Sequence, residues 1–248
     1  MDLPKKSRFV IIGAGIHGLS TAWHLVKELK SRARGSGDDI VILDKTGVAA
    51  GASGIACGVV RNFYYQPAMG ELMRVSVDVW ESNKEDFSYH PVGYLAGVSE
   101  NQASDVEAIH KRQSASGYKS SLIRGEREVN NYMKSLFPDW KAKGITSILH
   151  EHQGGVAFSP DAAHGIVSKL DAEGVKIIPG VEVTGFSRPN GHVTAIKTDR
   201  GTIETDQVVV AVGPWIKQLW SLLGLPDKID IRDSGGALHH DQEMWTYW

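Results

Sequence analysis

The chain has 248 residues, 42% hydrophobic and 23% charged, with 27 Lys and Arg against 29 Asp and Glu for a formal net charge of -2. That length buries a substantial core, and the near-neutral balance points away from nucleic acid and from an anionic membrane surface. The lone cysteine, Cys57, excludes an intrachain disulfide and fits a reducing, cytoplasmic setting, and no apolar stretch approaches the roughly 18 residues of a membrane helix.

In chain order, basic residues lead into the apolar run Phe9 to Ile12. That run is too short for a signal peptide and ends in glycines, so it reads as a buried parallel strand. Ile16 to Lys30 has the apolar spacing of a helix, with Leu19, Ala22, Trp23, Leu25, Val26 and Leu29 on one wide face. A polar loop, Ser31 to Asp39, precedes a second buried strand, Ile40 to Leu43, that ends at Asp44. Lys45 to Gly58 is a loop of small residues, and Pro67 to Phe87 reads as a helix. Val92 to Lys143 is less regular, with a strand at Tyr94 to Val98 and a polar helix at Asn101 to Ser114. Pro160 opens another helix, which Gly174 ends, and Val175 to Ile178 is a strand. Val181 to Phe186, His192 to Thr198 and Gly201 to Glu204 predict an antiparallel meander turning at Asn190-Gly191. Gln207 to Val212 is a separate apolar strand, Trp215 to Leu223 a helix, and Ile229 to Ile231 and Glu243 to Tyr247 are further strands.

Three segments carry chemistry. Gly13-Ala14-Gly15-Ile16-His17-Gly18 follows a strand and opens a helix. Gly13 permits the tight turn, Gly15 lets the backbone approach a pyrophosphate, and Gly18 lets the helix pack on the strand. The helix N-terminus offers free N–H groups and a favourable dipole to phosphate. Asp44 is placed to accept hydrogen bonds from a ribose; it lies beyond the usual spacing of about 20 residues, and the Ser31 to Asp39 loop accounts for the excess. The turn by itself admits NAD or FAD. In the second segment, Gly51 to Arg61, small residues allow close contact with a flat or phosphorylated ligand, and Arg61 would place a cation beside a reduced flavin. A flexible loop with a solvated arginine suits that spacing equally well. The third, Val208 to Trp215, runs from a strand through Gly213 into a helix, as at the far edge of a nucleotide cleft in a doubly wound sheet, although by itself it reads first as one more buried strand of any α/β domain.

The segments VIIGAGIHGLSTAWHL, VILDK, GASGIACGVVR, GGVAFSPDAAHGIVSKLDAEGVKIIPGVEVTGF and VVVAVGPWIKQLWSLLGLP, in that order over residues 8 to 226, resemble the N-terminal portion of the D-amino-acid oxidase superfamily of flavoproteins, in its sarcosine oxidase and glycine oxidase branch. The resemblance implies an α/β fold: a Rossmann-like FAD-binding domain with a parallel sheet, interleaved with an incomplete antiparallel substrate domain. The division it implies is 1–90 and 154–226 for the FAD-binding domain, 91–153 for a substrate-domain segment, and 227–248 for the start of a truncated second one. The cofactor-binding set it implies is Gly13, Ala14, Gly15, Ile16, His17, Gly18, Asp44, Lys45, Gly51, Ala52, Ser53, Cys57, Gly58, Val183, Ala211, Gly213 and Trp215, with Val183 meeting the adenine side through its backbone. Arg61 is the expected flavin-side cation, and no metal is expected. The family usually has Glu where this chain has Asp44. It also runs on into a further Gly-rich, Arg-Pro-containing loop that nothing after Leu225 supplies, so Glu243 to Trp248 reads as a strand cut in mid-sheet and the chain as a fragment.

The resemblance implies an FAD-dependent oxidoreductase that oxidises the C–N bond of a small amine or amino acid by hydride transfer to flavin N5. Oxygen or a carrier would be the electron acceptor. Two other readings are a flavoenzyme oxidising a 2-hydroxy acid or glycerol phosphate, and a non-catalytic FAD-binding subunit or inactive fragment. Cys57 reads more readily as a small buried apolar residue than as a covalent flavin attachment point. His150-Glu151-His152 and His239-His240-Asp241 read as alternation on an exposed strand and a polar tail rather than as metal ligands. Trp215 and Trp220 are packing residues by default, and Tyr64 and Tyr65 are equally suited to a pocket or to packing.

Overall fold

The computed structural model describes residues 2–243, and its chain forms two compact units, residues 1–56 with 163–248 and residues 57–162. The described part of the first unit opens with β1 (Lys6–Ile12), α1 (Ile16–Ser31), β2 (Ile40–Asp44) and the short α2 (Ala52–Ile55). The second unit holds β3 (Val59–Val60), α3 (Pro67–Glu81), β4 (Tyr89–His90), β5 (Tyr94–Val98), α4 (Ala103–Ala115), β6 (Ser120–Arg124), α5 (Glu126–Leu136), β7 (Ser147–Glu151) and β8 (Gly155–Ala157). The chain then runs along α6 (Ser159–Ala172) to β9 (Lys176–Pro179), β10 (Val183–Ser187), β11 (Ala195–Thr198), β12 (Gly201–Val210), α7 (Ile216–Leu222), β13 (Lys228–Arg232) and β14 (Leu238–Glu243).

The first unit is built on a sheet of order β10-β11-β12-β1-β2-β9. β12, β1, β2 and β9 are mutually parallel, and β10, β11 and β12 form the antiparallel meander. This mixed α/β architecture, with a parallel sheet entered through a βαβ unit, is the expected Rossmann-like fold. From β1 the chain passes to β2 on one side, and on the other side lies β12, so the order reverses beside β1. Such a reversal leaves a crevice at the carboxyl ends of the strands. Phe9 to Ile12 of β1 and Ile40 to Leu43 of β2 are buried throughout, which is why these stretches are continuous apolar runs rather than alternating ones. Val10, Ile12, Val41, Leu43, Ile178, Ile196 and Ile203 form a core on one side. The buried stripe of α1, namely Leu19, Ala22, Trp23, Val26 and Leu29, packs on β1 and β2.

One difference from the sequence reading matters for the site. Gly201 to Glu204 and Gln207 to Val212 were expected as separate strands, but the structure has one ten-residue strand, β12. Thr205 carries it through the polar stretch: its buried hydroxyl donates to the Arg8 and Gln207 carbonyls at 3.2 and 2.9 Å. The first half of β12 pairs antiparallel with β11 while the strand lies parallel to β1, so the meander and the parallel sheet are continuous. The meander turns where expected, with positive φ at Asn190 and Gly191. The expected strand 243–247 meets β14 at Glu243, and the rest of it lies outside the described residues.

The second unit contains a three-stranded antiparallel sheet, β5-β7-β6, with a helix against each face. Strand alternation explains the two cores. Leu149 packs with Val106 and Ile109 of α4, while its neighbour Ile148 packs with Val129 and Met133 of α5. The α5 helix and strand β6 are absent from the sequence reading, because short polar-faced elements joined by tight turns carry weak periodicity. Helix α3 ends at Glu81 rather than at Phe87.

Candidate functional site

A cleft of about 410 Å³ opens in the first unit at the carboxyl ends of β1, β2 and β12. Its floor is the glycine turn, and each glycine does a different job. Gly13 has φ +109, and a Cβ there would lie 2.4 Å from the Ala211 carbonyl oxygen, so only glycine lets β1 turn against the end of β12. A Cβ on Gly18 would lie 1.9 Å from the Gly13 oxygen, so its absence brings α1 onto the strand. A Cβ on Gly15 would meet only the Ser53 hydroxyl, at 3.0 Å, so this glycine keeps the cleft wall open rather than the fold closed.

Helix α1 starts beyond Gly15 with no acidic residue in its first turn and no capping side chain of its own. Ser53, from α2, supplies a cap from a distance: its Oγ accepts from the Ile16 N–H at 3.0 Å. The remaining first-turn N–H groups and the helix dipole suit the wall to an anion such as a pyrophosphate.

Asp44 ends β2 and ties the turn to it. Its Oδ2 accepts the Ala14 N–H at 2.8 Å. Its Oδ1 accepts from the Thr46 N–H at 2.8 Å, the Thr46 hydroxyl at 3.0 Å and the Gly47 N–H at 2.9 Å. A lone pair on Oδ2 remains for a sugar hydroxyl. Thr46 and Gly47 are absent from the expected site; the Asx-turn pattern Asp-x-x-Gly after a strand end is the signal for them. The cleft mouth carries Lys45, whose Nζ sits 4.7 Å from the centre of the Trp215 ring. Trp215 in turn packs where a Cβ on Gly51 would come within 3.0 Å of it.

The cleft thus brings together Gly13, Gly15, Ile16, His17, Asp44, Lys45, Gly51, Ala52, Ser53, Val183, Ala211, Gly213 and Trp215. Val181, Glu182, Gln218 and Leu219 join them from the β9–β10 connection and α7. Ala14 and Gly18 do not line it; both are buried beneath the turn and shape it from behind. Cys57, Gly58 and Arg61 belong to the second unit. Gly58 is a backbone position there, with φ +69 and no room for a Cβ against the Ala157 carbonyl. The expectation of a buried Cys57 is corrected, since it stands exposed with its neighbour Ala56 after α2 has ended.

Arg61 donates to the Tyr94 hydroxyl at 2.5 Å and lies over the Tyr64 and Tyr94 rings at 5.8 and 5.0 Å. Burial works against its charge, but the two tyrosines outweigh that and hold its pKa above the ordinary value.

Glu151 is the buried acid that sequence reasoning passed over, having placed it on an exposed strand. The strand alternates as expected, yet Glu151 shares the face of Leu149 and is wholly buried, while His150 and His152 share the other. His150 meets the Tyr132 hydroxyl at 2.6 Å and His152 the Ser121 hydroxyl at 2.8 Å. Among the described residues no group of three or more His, Cys, Asp or Glu is arranged to hold a metal ion. Burial pushes Glu151 above the usual carboxylate range, opposed by hydrogen bonds from Asn62, Gln113 and Tyr118 and by the charge of Arg61. The raised folded-state value means that the folded chain holds this proton more tightly than the unfolded chain. Its contribution to stability is therefore fullest at acid pH and is lost as pH rises through the folded value. The urea midpoint of the native chain, relative to Glu151→Gln, is expected to fall from acid pH toward neutrality. A midpoint difference that grew with pH would contradict this.

The fold and cleft define a dinucleotide-binding α/β protein whose first unit is shaped for an ADP group. The chain matches the model of the FAD dependent oxidoreductase family, DAO, over residues 8–238, and it belongs to that family. FAD is the cofactor, and the residues present fit its ADP half: a tight glycine turn in which Gly13 and Gly18 leave no room for a Cβ and Gly15 keeps the wall open, a helix N-terminus, and a carboxylate at the second strand end. The chain is 26% identical over 220 residues to the sarcosine oxidase subunit beta of Rhizobium meliloti (strain 1021), covering 87% of this chain and 51% of that protein. It is 25% identical to the mitochondrial pyruvate dehydrogenase phosphatase regulatory subunit of Mus musculus, over 88% of this chain and 24% of that one. Among solved structures, L-proline dehydrogenase from P. horikoshii superposes with a TM-score of 0.80 at 25% identity, over 92% of this chain and 58% of that one. The chain spans about half the length of the sarcosine oxidase subunits it matches. Among the described residues no helix is long and apolar enough to cross a membrane.

Proposed function

We propose that this chain is the FAD-holding part of an oxidoreductase that oxidises the C–N bond of a small amine or amino acid. The cleft formed by the Gly13 turn, Asp44 and Ser53 carries this reading. The names of its relatives, sarcosine oxidase and L-proline dehydrogenase, supply the substrate class. FAD, when bound, supplies the acceptor at N5 for the hydride leaving the carbon next to nitrogen, and the resulting imine is hydrolysed by water to a carbonyl compound and an amine.

The chain's residues bind and orient. The α1 N-terminus and Gly15 take the pyrophosphate, Asp44 the ribose, and the Val183 backbone the adenine side. Lys45 and Trp215 flank the mouth. Arg61, which stays protonated at any working pH, is the cation assigned to the flavin side, where it would stabilise negative charge on the reduced ring. Oxygen or a carrier takes the electrons onward, and the free, single cysteine supports a reducing, cytoplasmic setting.

One observation favours a second reading, a non-catalytic FAD-binding subunit: a relative of comparable identity is named a regulatory subunit. The chain purified with FAD is expected to show bound-flavin absorbance that sarcosine, glycine or proline bleaches without oxygen. Absence of bound flavin would sink both readings. Bound flavin that no amine, imino acid or amino acid bleaches would leave the regulatory one.

A further inference from the structure

A fully buried glutamate is a poor source of stability. Desolvation of the carboxylate is costly, and buried ionic groups are often replaced by apolar ones without loss. Glu151 is nevertheless held with care. Its Oε2 accepts the Asn62 backbone N–H at 2.8 Å and the Tyr118 hydroxyl at 3.1 Å, and its Oε1 accepts the Gln113 amide at 2.6 Å. The same Gln113 nitrogen donates to the Asn62 carbonyl at 3.1 Å. The Asn62 residue is therefore gripped at its N–H by Glu151 and at its C=O by Gln113. Directly across the sheet from Glu151, in register on the neighbouring strand, stands Tyr94. Tyr94 is the residue whose hydroxyl takes the Arg61 guanidinium.

Two neighbours on one sheet face thus hold two consecutive residues of the chain: Tyr94 the side chain of Arg61, Glu151 the backbone just after it. We propose that Glu151 is a positioning residue, whose buried carboxylate fixes the Asn62 peptide and through it sets where the Arg61 guanidinium is presented. The functional weight of this rests on Arg61 being the flavin-side cation, as assigned above; the mechanical coupling does not.

The coupling predicts that loosening Glu151 frees Arg61 selectively. The other arginine to watch is Arg112, which donates to the Tyr64 and Tyr65 carbonyls in the same unit. The full chain and its Glu151→Gln variant would be treated with phenylglyoxal and labelling at each arginine followed by peptide mass spectrometry. Arg61 is expected to label severalfold faster in the variant, with Arg112 unchanged. Equal acceleration of both arginines, or unchanged Arg61 in a variant that melts lower, would overturn the proposal and leave Glu151 a purely structural residue. If Glu151→Gln fails to fold, Glu151→Asp serves, since it keeps the charge but draws the acceptor back from the Asn62 N–H; the same selective acceleration is expected. The second readout is the midpoint potential of bound FAD. Glu151→Gln should shift it in the native background and not in Arg61→Met. A shift of equal size in both backgrounds would show that Glu151 does not act through Arg61. A chain that binds no FAD would defeat the functional assignment of Arg61 while the labelling result still decides the coupling.

Discussion

Gly18→Ala is expected to destabilise the chain by about 3 kcal/mol, the upper end of the usual cost of overpacking, and to abolish tight FAD binding. The added methyl would sit 1.9 Å from the Gly13 oxygen, 3.1 Å from its carbonyl carbon and 3.4 Å from Ile11 Cγ2. Two of those atoms are backbone, and they belong to the tight turn, so the methyl has nowhere to rotate. Relief requires α1 to move away from β1, which uncovers the stripe of Leu19, Ala22, Trp23 and Val26. The same movement carries the first-turn N–H groups away from the proposed pyrophosphate position. A drop of roughly 6–12 °C in melting temperature follows from the scaling for a chain of this size, together with at least about a tenfold rise in Kd for FAD. Gly15→Ala is the control. Its methyl meets only the Ser53 hydroxyl, a side chain able to swing aside, and its backbone lies outside the left-handed region at φ -79. Stability should change by less than about 1 kcal/mol while FAD binding weakens, because the methyl projects at the wall proposed to take the pyrophosphate. If Gly18→Ala melted like the native chain, or if the two variants behaved alike, the separate roles of the two glycines would be wrong.

The same contrast shows what was legible in the sequence. The glycine roles, Asp44 and the parallel strands could be read because each depends on local chemistry: a turn that needs positive φ, a close approach that excludes Cβ, an apolar run bounded by polar residues. The second unit was harder. Its two sheets, β5-β7-β6 and β3-β8-β4, are made from strands of two to five residues whose register is set by partners far along the chain. Glu151 is the sharpest case. Its sequence neighbours are histidines, which suggested an exposed polar strand, yet the period of two that puts Leu149 inward puts Glu151 inward as well. What makes that burial tolerable lies 89 residues away at Asn62 and 38 away at Gln113, and no local pattern records it. Cys57 failed for a different reason: a free cysteine is most often buried, but the short α2 ends before it and leaves it in the open. The two-strand reading of β12 failed because Thr205 satisfies its hydroxyl on neighbouring carbonyls, so a polar residue passes through a buried sheet without breaking it.

Asp44→Ala should cost about as much as Gly18→Ala, by a different route. The carboxylate accepts four hydrogen bonds, one from Ala14 and three from Thr46 and Gly47. Hydrogen bonds to a charged group contribute about 1.5–3 kcal/mol each when counted singly, and those sharing one anchor do not add. Losing the anchor is therefore placed at about 3 kcal/mol. The Ala14 N–H suffers most, because Ala14 is wholly buried and the donor is left without an acceptor. Asp44→Asn gives no rescue. An amide has one acceptor oxygen, and whichever way it turns it presents NH₂ either to the Ala14 N–H or to the Thr46 and Gly47 N–H groups. Asp44→Glu keeps the charge and both oxygens, and it should retain most of the binding if the longer side chain can draw back to reach the turn. ADP titration separates these effects from the flavin half. Native chain and Asp44→Glu should bind ADP, while Asp44→Ala and Asp44→Asn should bind at least about tenfold more weakly, a loss of 1.4 kcal/mol or more. An Asp44→Asn variant that bound ADP and melted like the native chain would show that the carboxylate neither latches the turn nor receives the ribose.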